Sequence, residues 1–198
     1  MSTMVRHLGW LMVGLGTVLI LVACQLAPLQ TPTPTVPLEQ GGATMAFQLT
    51  SSAFGRGQPI PAQYTCRGKD ISPPLSWSDP PAGTLSFALI CDDPDAPAGD
   101  WVHWLIYNLP ATVRSLPEGV PSDGQLPDGS RQGLNGWRQT GYRGPCPPSG
   151  THRYFFKLYA LDTTLNLPPG ATKQQLLDAM KGHVLAQAEL MGTFRRSP

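Results

Sequence analysis

Neither sign of charge is in excess in this chain of 198 residues: Lys and Arg total 14 against 13 Asp and Glu, and charged residues make up only 14%. So small and balanced a charge offers no basic field to hold a phosphate backbone, which argues against nucleic acid as a partner. Histidine and cysteine are scarce, at four each. No CxxC or HxxxH spacing occurs among them, so the usual zinc patterns have no support. GxSxG elbows, phosphate-binding loops and dinucleotide fingerprints are missing as well, and with them the corresponding hydrolase and nucleotide-binding classes. The longest apolar run, Leu8 to Ala23, has 16 residues, short of the ~20 that a helix needs to cross a bilayer. Neither an internal repeat nor a heptad pattern is found. What abounds is punctuation, with 22 Pro and 21 Gly.

The short apolar run has the layout of an export signal. Arg6 precedes it, small residues close it, and Leu21-Val22-Ala23-Cys24 resembles a bacterial lipobox. Residues 1–23 are therefore expected to be a lipoprotein signal peptide, with Cys24 the lipidated first residue of the mature chain. The protein would then be extracytoplasmic and anchored to a bacterial membrane through that lipid. Residues 24–44 turn to Pro, Thr, Gln and Gly, including Pro28, Pro32, Pro34 and Pro37, the composition of a tether. Fully extended at ~3.1 Å per residue, it would reach roughly 60 Å. The folded domain is expected over 45–198. Length and a 41% hydrophobic content suit one domain with a real core.

Within that domain Pro and Gly recur every eight to fifteen residues, and the runs between them are short and rich in aromatic and branched side chains, a β pattern. Leu85–Asp92, Val102–Leu109 and Arg153–Leu161 are the clearest strands. The first two are apolar on both faces, as central strands of a packed sheet would be. One helix is expected: Thr172 and Gln175 form a capping box ahead of an apolar stripe of Leu176, Leu177, Met180 and Val184, with Gly182 near its end. Ala186 to Phe194 follows as a last strand, with Ala186, Ala188, Leu190 and Phe194 on one face. The fold class is mainly β, a sandwich with a short C-terminal helix. Export to an oxidising compartment permits one disulfide, and Cys66 with Cys146 is the favoured pair, because both lie in Gly- and Pro-rich loops whereas Cys91 lies inside an apolar strand.

Two short segments concentrate the chemistry. Asp93-Pro94-Asp95-Ala96-Pro97, followed by His103, and Gly150-Thr151-His152-Arg153-Tyr154 together hold two carboxylates, two imidazoles and a phenol. All stand at strand ends. Alternation puts His152 and Tyr154 on one face and Arg153 on the other, and puts His103 on the face of Leu105 and Tyr107. If those ends meet at one rim, Asp93 and Asp95 would hydrogen-bond the imidazoles and favour their protonated form, leaving His103, His152 and the Tyr154 hydroxyl as donors toward an anion. Two other classes compete. Two His with two Asp can also ligate a metal in a hydrolase, and an extracellular proteinase inhibitor would present a loop such as Ser122–Gln139, which carries Arg131 and Arg138.

These segments resemble the signatures of the phosphatidylethanolamine-binding protein family, and in particular its bacterial Raf-kinase-inhibitor-like branch. Its DPDAP loop followed by Trp and His is matched by Asp93–Pro97, Trp101 and His103, and its GxHRY strand by Gly150–Tyr154. Ile71–Trp77 and Gly144–Pro148 are similar to segments of the bacterial members, so the resemblance runs from about Phe47 to Phe194. It implies a Greek-key β-sandwich with antiparallel sheets and a small pocket for phosphate or a phospholipid head group. Carried over by position, the pocket would be lined by Asp93, Asp95, Pro97, Trp101, His103, Gly144, Pro145, His152 and Tyr154. The resemblance implies binding, possible regulation and no catalysis, and neither a cofactor nor a metal nor a particular protein partner. The chain shows no counterpart of the C-terminal extension that packs near the pocket in animal members, so a more open pocket is expected. The exported location argues against inhibition of an intracellular kinase.

Overall fold

The computed structural model describes residues 46–196. The expected signal peptide 1–23, Cys24 and the tether 24–44 lie outside the described residues. Among these residues eight strands and one α-helix follow in chain order: β1 (Leu49–Thr50), β2 (Leu75–Trp77), β3 (Ser86–Asp93), β4 (Trp101–Pro110), β5 (Ser115–Leu116), β6 (Arg131–Gln132), β7 (Thr151–Leu161), α1 (Lys173–Met180) and β8 (Val184–Arg195). They form a three-stranded sheet ordered β1-β2-β5 and a five-stranded sheet ordered β6-β4-β3-β7-β8, with every pairing between these strands antiparallel. β3 and β7 are neighbours although three other strands separate them in sequence, the non-sequential adjacency typical of Greek-key connections.

β3 holds this arrangement together, because every one of its residues is buried. Alternation sends Phe87, Leu89 and Cys91 into the core beneath the small sheet, where they meet Leu75, Trp77, Trp104, Ile106, Phe156 and Leu158. Ala88 and Ile90 face the opposite way, toward Leu105, Tyr107, Leu176 and Met180 on the helix side. A strand buried on both faces has no place for polar residues until its end, which explains the apolar run read from the sequence. β7 alternates throughout: His152, Tyr154, Phe156, Leu158 and Ala160 point inward, while Thr151 and Arg153 are exposed.

The capping box forms as expected. The Thr172 hydroxyl accepts from the Gln175 amide, and the Gln175 side chain accepts from the Thr172 amide. Leu176 and Met180 are buried beneath the sheet. Val184 corrects the expected helical stripe. The helix stops at Met180, the chain reverses through Gly182 at φ 79°, and Val184 opens β8 as an exposed residue. Gly182 provides a left-handed conformation that a side chain would resist, so the turn ends the helix earlier than apolar spacing suggested. Along β8, Ala188 and Leu190 are buried with Ala186 and Phe194 packed beside the same core, the expected face.

Cys66 and Cys146 are bridged, at a sequence separation of 80, while Cys91 is free and buried. The bridge joins the segment after the turn at Ala62–Tyr64 to the chain just ahead of β7, two stretches otherwise joined by the Cys66 amide donating to the Pro145 carbonyl at 3.2 Å. Closing a loop of that length restricts the unfolded chain by roughly 4 kcal/mol. A Cys66→Ser, Cys146→Ser double variant is accordingly expected to unfold at a clearly lower temperature than wild type by circular dichroism. Dithiothreitol should lower the wild-type transition and leave that of the variant in place.

Candidate functional site

The ends of β3, β4 and β7 meet at one rim of the large sheet, as expected, but the route by which His103 arrives there differs. The β3–β4 register runs Cys91 opposite Trp104 and then Asp92 opposite Val102, so His103 is an extra residue in β4. Such a β-bulge breaks alternation. Leu105 and Tyr107 face the helix side, whereas the His103 ring packs edge-on against Tyr154, at 5.1 Å between centroids, and against Trp137 at 5.3 Å. His103 therefore lies on the face of His152, contrary to simple alternation. A neighbouring segment fixes it there, since the Arg143 amide donates to the His103 carbonyl at 3.0 Å and the His103 Nδ1 meets the Arg143 carbonyl at 2.5 Å.

A carbonyl only accepts, so the His103 Nδ1 carries the hydrogen. Burial pushes the His103 pKa below its ordinary value, outweighing the opposite influence of the Arg143 carbonyl and the Asp93 charge. His103 is thus a neutral ring whose Nε2 presents a lone pair, a correction to the expected imidazolium donor. His152 is held differently. Its Nδ1 donates to Asp93 Oδ2 at 2.8 Å, and Asp93 Oδ1 accepts the Asp95 amide at 2.9 Å. One buried carboxylate therefore orients an imidazole and shapes the following loop. No protein partner meets either Nε2 among the described residues.

Asp95 does not join the histidines. Its carboxylate turns to the exposed side of β7, where it accepts from the Arg153 amide and Nε, both at 2.9 Å, and from Arg153 Nη2 at 2.6 Å. The Arg153 guanidinium holds the Asp95 pKa down at about 2. The residue serves as a clamp of loop to strand, a second correction. Tyr154 is fully buried behind His103, and its hydroxyl has no hydrogen-bond partner among the described residues. Burial and the nearby Asp93 charge raise its pKa far above the usual phenol value, so it stays protonated.

A cavity of about 220 Å³ lies over this group. Asp93, Pro97, Trp101, His103 and His152 of the expected set line it, joined by Ala96, Ala98, Trp137, Cys146, Pro147 and Pro148. Gly144 and Pro145 stand behind the wall. The Gly144 amide donates to Asp70 Oδ1 at 2.7 Å, and a Cβ there would lie 2.2 Å from the Tyr64 carbonyl, so only glycine allows this segment to approach so closely. Trp137 was not legible in the sequence, because it lies in a Gly-rich connection without periodicity. Its place depends on Gly136, where a Cβ would fall 2.3 Å from the Trp101 ring, and the two indoles meet edge to face at 5.4 Å. Asp92, next to Asp93, points to the opposite side and is bonded by Lys157 at 2.8 Å and Lys173 at 2.6 Å, with Lys173 also reaching Asp100. No group of three or more His, Cys, Asp or Glu side chains is arranged to hold a metal among the described residues. Arg131, one of two arginines in the loop considered for protease contact, donates to the Leu167 carbonyl from within β6.

Residues 50–195 match the family model described as Phosphatidylethanolamine-binding protein. Among curated proteins, the chain is 58% identical over 150 residues to a UPF0098 protein of Methanothermobacter thermautotrophicus, covering 76% of this chain and 99% of the relative. A UPF0098 protein of Chlamydia muridarum is 51% identical over 155 residues, with 76% and 99% covered. Among solved structures, a putative phosphatidylethanolamine-binding protein homolog from Chlamydia trachomatis, CT736, is similar at TM-score 0.71 and 50% identity, with 77% of this chain and 99% of that chain covered. Escherichia coli YbcL, described as a new member of the mammalian PEBP family, is similar at TM-score 0.72 and 35% identity, with 77% and 100% covered.

The clamp has a pH signature. The folded-state pKa of Asp95, about 2, lies below the ~3.9 of an unfolded aspartate, so the stability it contributes is complete above about pH 4 and is lost as pH falls toward 2. Asp95→Asn is expected to lower the melting temperature at neutral pH by a few degrees and to flatten the decline of stability between pH 4 and 2. An unchanged acid limb would show that the clamp contributes nothing.

Proposed function

The chain belongs to the phosphatidylethanolamine-binding protein family, and from that membership, together with the sequence of residues 1–44, we propose that it is a membrane-tethered, extracytoplasmic binding protein whose cavity takes a small anion, phosphate or a phospholipid head group, without catalytic turnover. The observation that carries this reading is the pair of unlike imidazoles lining a cavity of about 220 Å³, each with Nδ1 engaged and Nε2 free of protein partners among the described residues. His152, with Asp93 at its back, becomes an N–H donor at Nε2 when it takes a second proton. Neutral His103 offers an acceptor. A partly protonated phosphate or phosphomonoester matches both, because it carries an anionic oxygen for one ring and a hydroxyl for the other. The indoles of Trp101 and Trp137 and the prolines 97, 147 and 148 add apolar wall around that polar floor, the usual composition of a small-molecule site.

The use of the acidic groups supports a reading without turnover. Asp93 has both oxygens committed, and Asp95 is occupied by Arg153. Neither is free to act as a general base. The tether rests on the sequence of residues 1–44, where a lipobox-like Cys24 follows a short apolar run.

Calorimetry with phosphate, phosphoethanolamine and acetate tests the pocket. His152→Ala and Asp93→Ala are each expected to weaken phosphate binding roughly tenfold to a hundredfold, the cost of a lost charge-assisted hydrogen bond. Equal affinity in wild type and both variants would overturn the assignment. For the anchor, Cys24→Ser is expected to move the protein from the membrane fraction to the soluble one, and unchanged partitioning would count against lipidation.

A further inference from the structure

The rim opposite the cavity has the contrary chemistry. β3 and β8 start there, at Ser86 and Val184, and β4 and β7 finish there, at Pro110 and Leu161. At ~3.3 Å per residue, the length of these strands puts it roughly 25–30 Å from the cavity. Leu85, Val184 and Leu185 are 59%, 45% and 41% exposed and are the exposed large hydrophobic side chains among the described residues. They gather in one place: Leu161 accepts the Leu85 amide and pairs with Val184, and Gly83 lies against the Leu185 side chain. A shallow groove of about 830 Å³ continues the patch through Pro80, Pro81, Ala82 and Ala186. Scattered exposed leucines need no explanation, but a cluster does.

The chain enters its folded part at this same rim. Ala46 and Phe47 line the groove, the Ala46 carbonyl accepts from the Ser78 hydroxyl, and the Phe47 ring stacks on Phe87, near the start of β3. The 45 residues that precede Ala46 hold the short apolar run and Cys24. The exposed carboxylates nearby are paired, Asp79 with Arg114 and Asp162 with His183, so the rim adds no basic field to its apolar patch, and electrostatic recognition of an anionic partner is not what it offers.

We propose that this rim is a lipid-contacting surface: the domain rests on the bilayer through Leu85, Val184, Leu185 and the proline groove, and its cavity faces away from the membrane. This rests on the tethered reading above. It also narrows the ligand, because a cavity at the far end of the sheet cannot reach head groups of the leaflet that holds the anchor. The anion arrives from the aqueous side.

Hydrogen exchange of the full-length protein tests this, in vesicles of phosphatidylethanolamine and phosphatidylglycerol and in detergent-free solution after removal from the vesicles. Peptides covering 80–86 and 182–187 should exchange roughly tenfold more slowly on vesicles, whereas those covering 93–103 and 148–153 should not change. A Leu85→Ser, Val184→Ser, Leu185→Ser variant should remain bound through its N-terminal segment yet lose the added protection. Retention on vesicles with a freely exchanging rim, or with protection at 93–103 instead, overturns the orientation alone. Protection that persists without vesicles and falls on dilution identifies a contact between two copies and likewise overturns it. Failure of the wild-type chain to bind vesicles at all overturns the tether and the orientation with it.

Discussion

Two successive buried carboxylates, Asp92 and Asp93, end the central strand β3, and the structure around them is organised to satisfy both. A buried, unpaired carboxylate costs several kcal/mol, so each must have a partner on its own side of the sheet. Because adjacent residues face opposite ways, the partners come from different layers. Asp92 is met by Lys157 on β7 and Lys173 at the start of α1, which ties the helix to the sheet. Asp93 is met by His152 and by the backbone of its own loop. The same dipeptide therefore docks the helix on one face and orients an imidazole on the other. Removing either partner would leave a charge stranded rather than merely delete a contact.

The second constraint is the extra residue in β4. Without the bulge at His103, strict alternation would place that ring with Leu105 and Tyr107 beneath the helix, and His152 would stand alone on the cavity side. Its neutrality has the same origin, since the position it gains is buried among Tyr154 and Trp137 and close to a carbonyl. The two histidines come from strands separated by about fifty residues and have different electrical roles because their Nδ1 atoms meet a carboxylate in one case and a carbonyl in the other.

Much of this was legible from local pattern. The runs at β3, β4 and β7, the capping box of α1, the face presented by β8 and the Cys66–Cys146 pairing all follow from alternation, propensity or cysteine placement, each a property of a few neighbouring residues. What escaped depended on tertiary context. The bulge has no marker in Trp101-Val102-His103-Trp104 and arises from pairing with β3. Placement at a common rim of strand ends groups Asp95 with the imidazoles, but Arg153, on the outward face of β7, offers three donors within reach. Gly144 and Pro145 belong to the right segment yet act one step behind the wall, where a close backbone approach rather than ligand contact explains the glycine. Trp137 is held by an Asn135 turn and by the missing side chain of Gly136, neither of which produces a periodic signal.

The state of the protons bears on the proposed reading, in which the site holds rather than converts. A general base needs a lone pair that can take a proton and an orienting partner that stabilises the resulting charge. His103 has the lone pair, but its partner is a neutral carbonyl and its surroundings oppose a positive charge. His152 has the carboxylate partner, Asp93, whose other oxygen accepts the Asp95 amide and so keeps the pair in place. The Tyr154 hydroxyl is kept protonated and closed off by burial. His103 and Tyr154 are therefore each fixed in one hydrogen-bonding role. In the proposed reading, the fixed His103 acceptor beside the Asp93-backed His152, in a small apolar-walled cavity, suits capture of an anion that presents both a hydroxyl and an anionic oxygen.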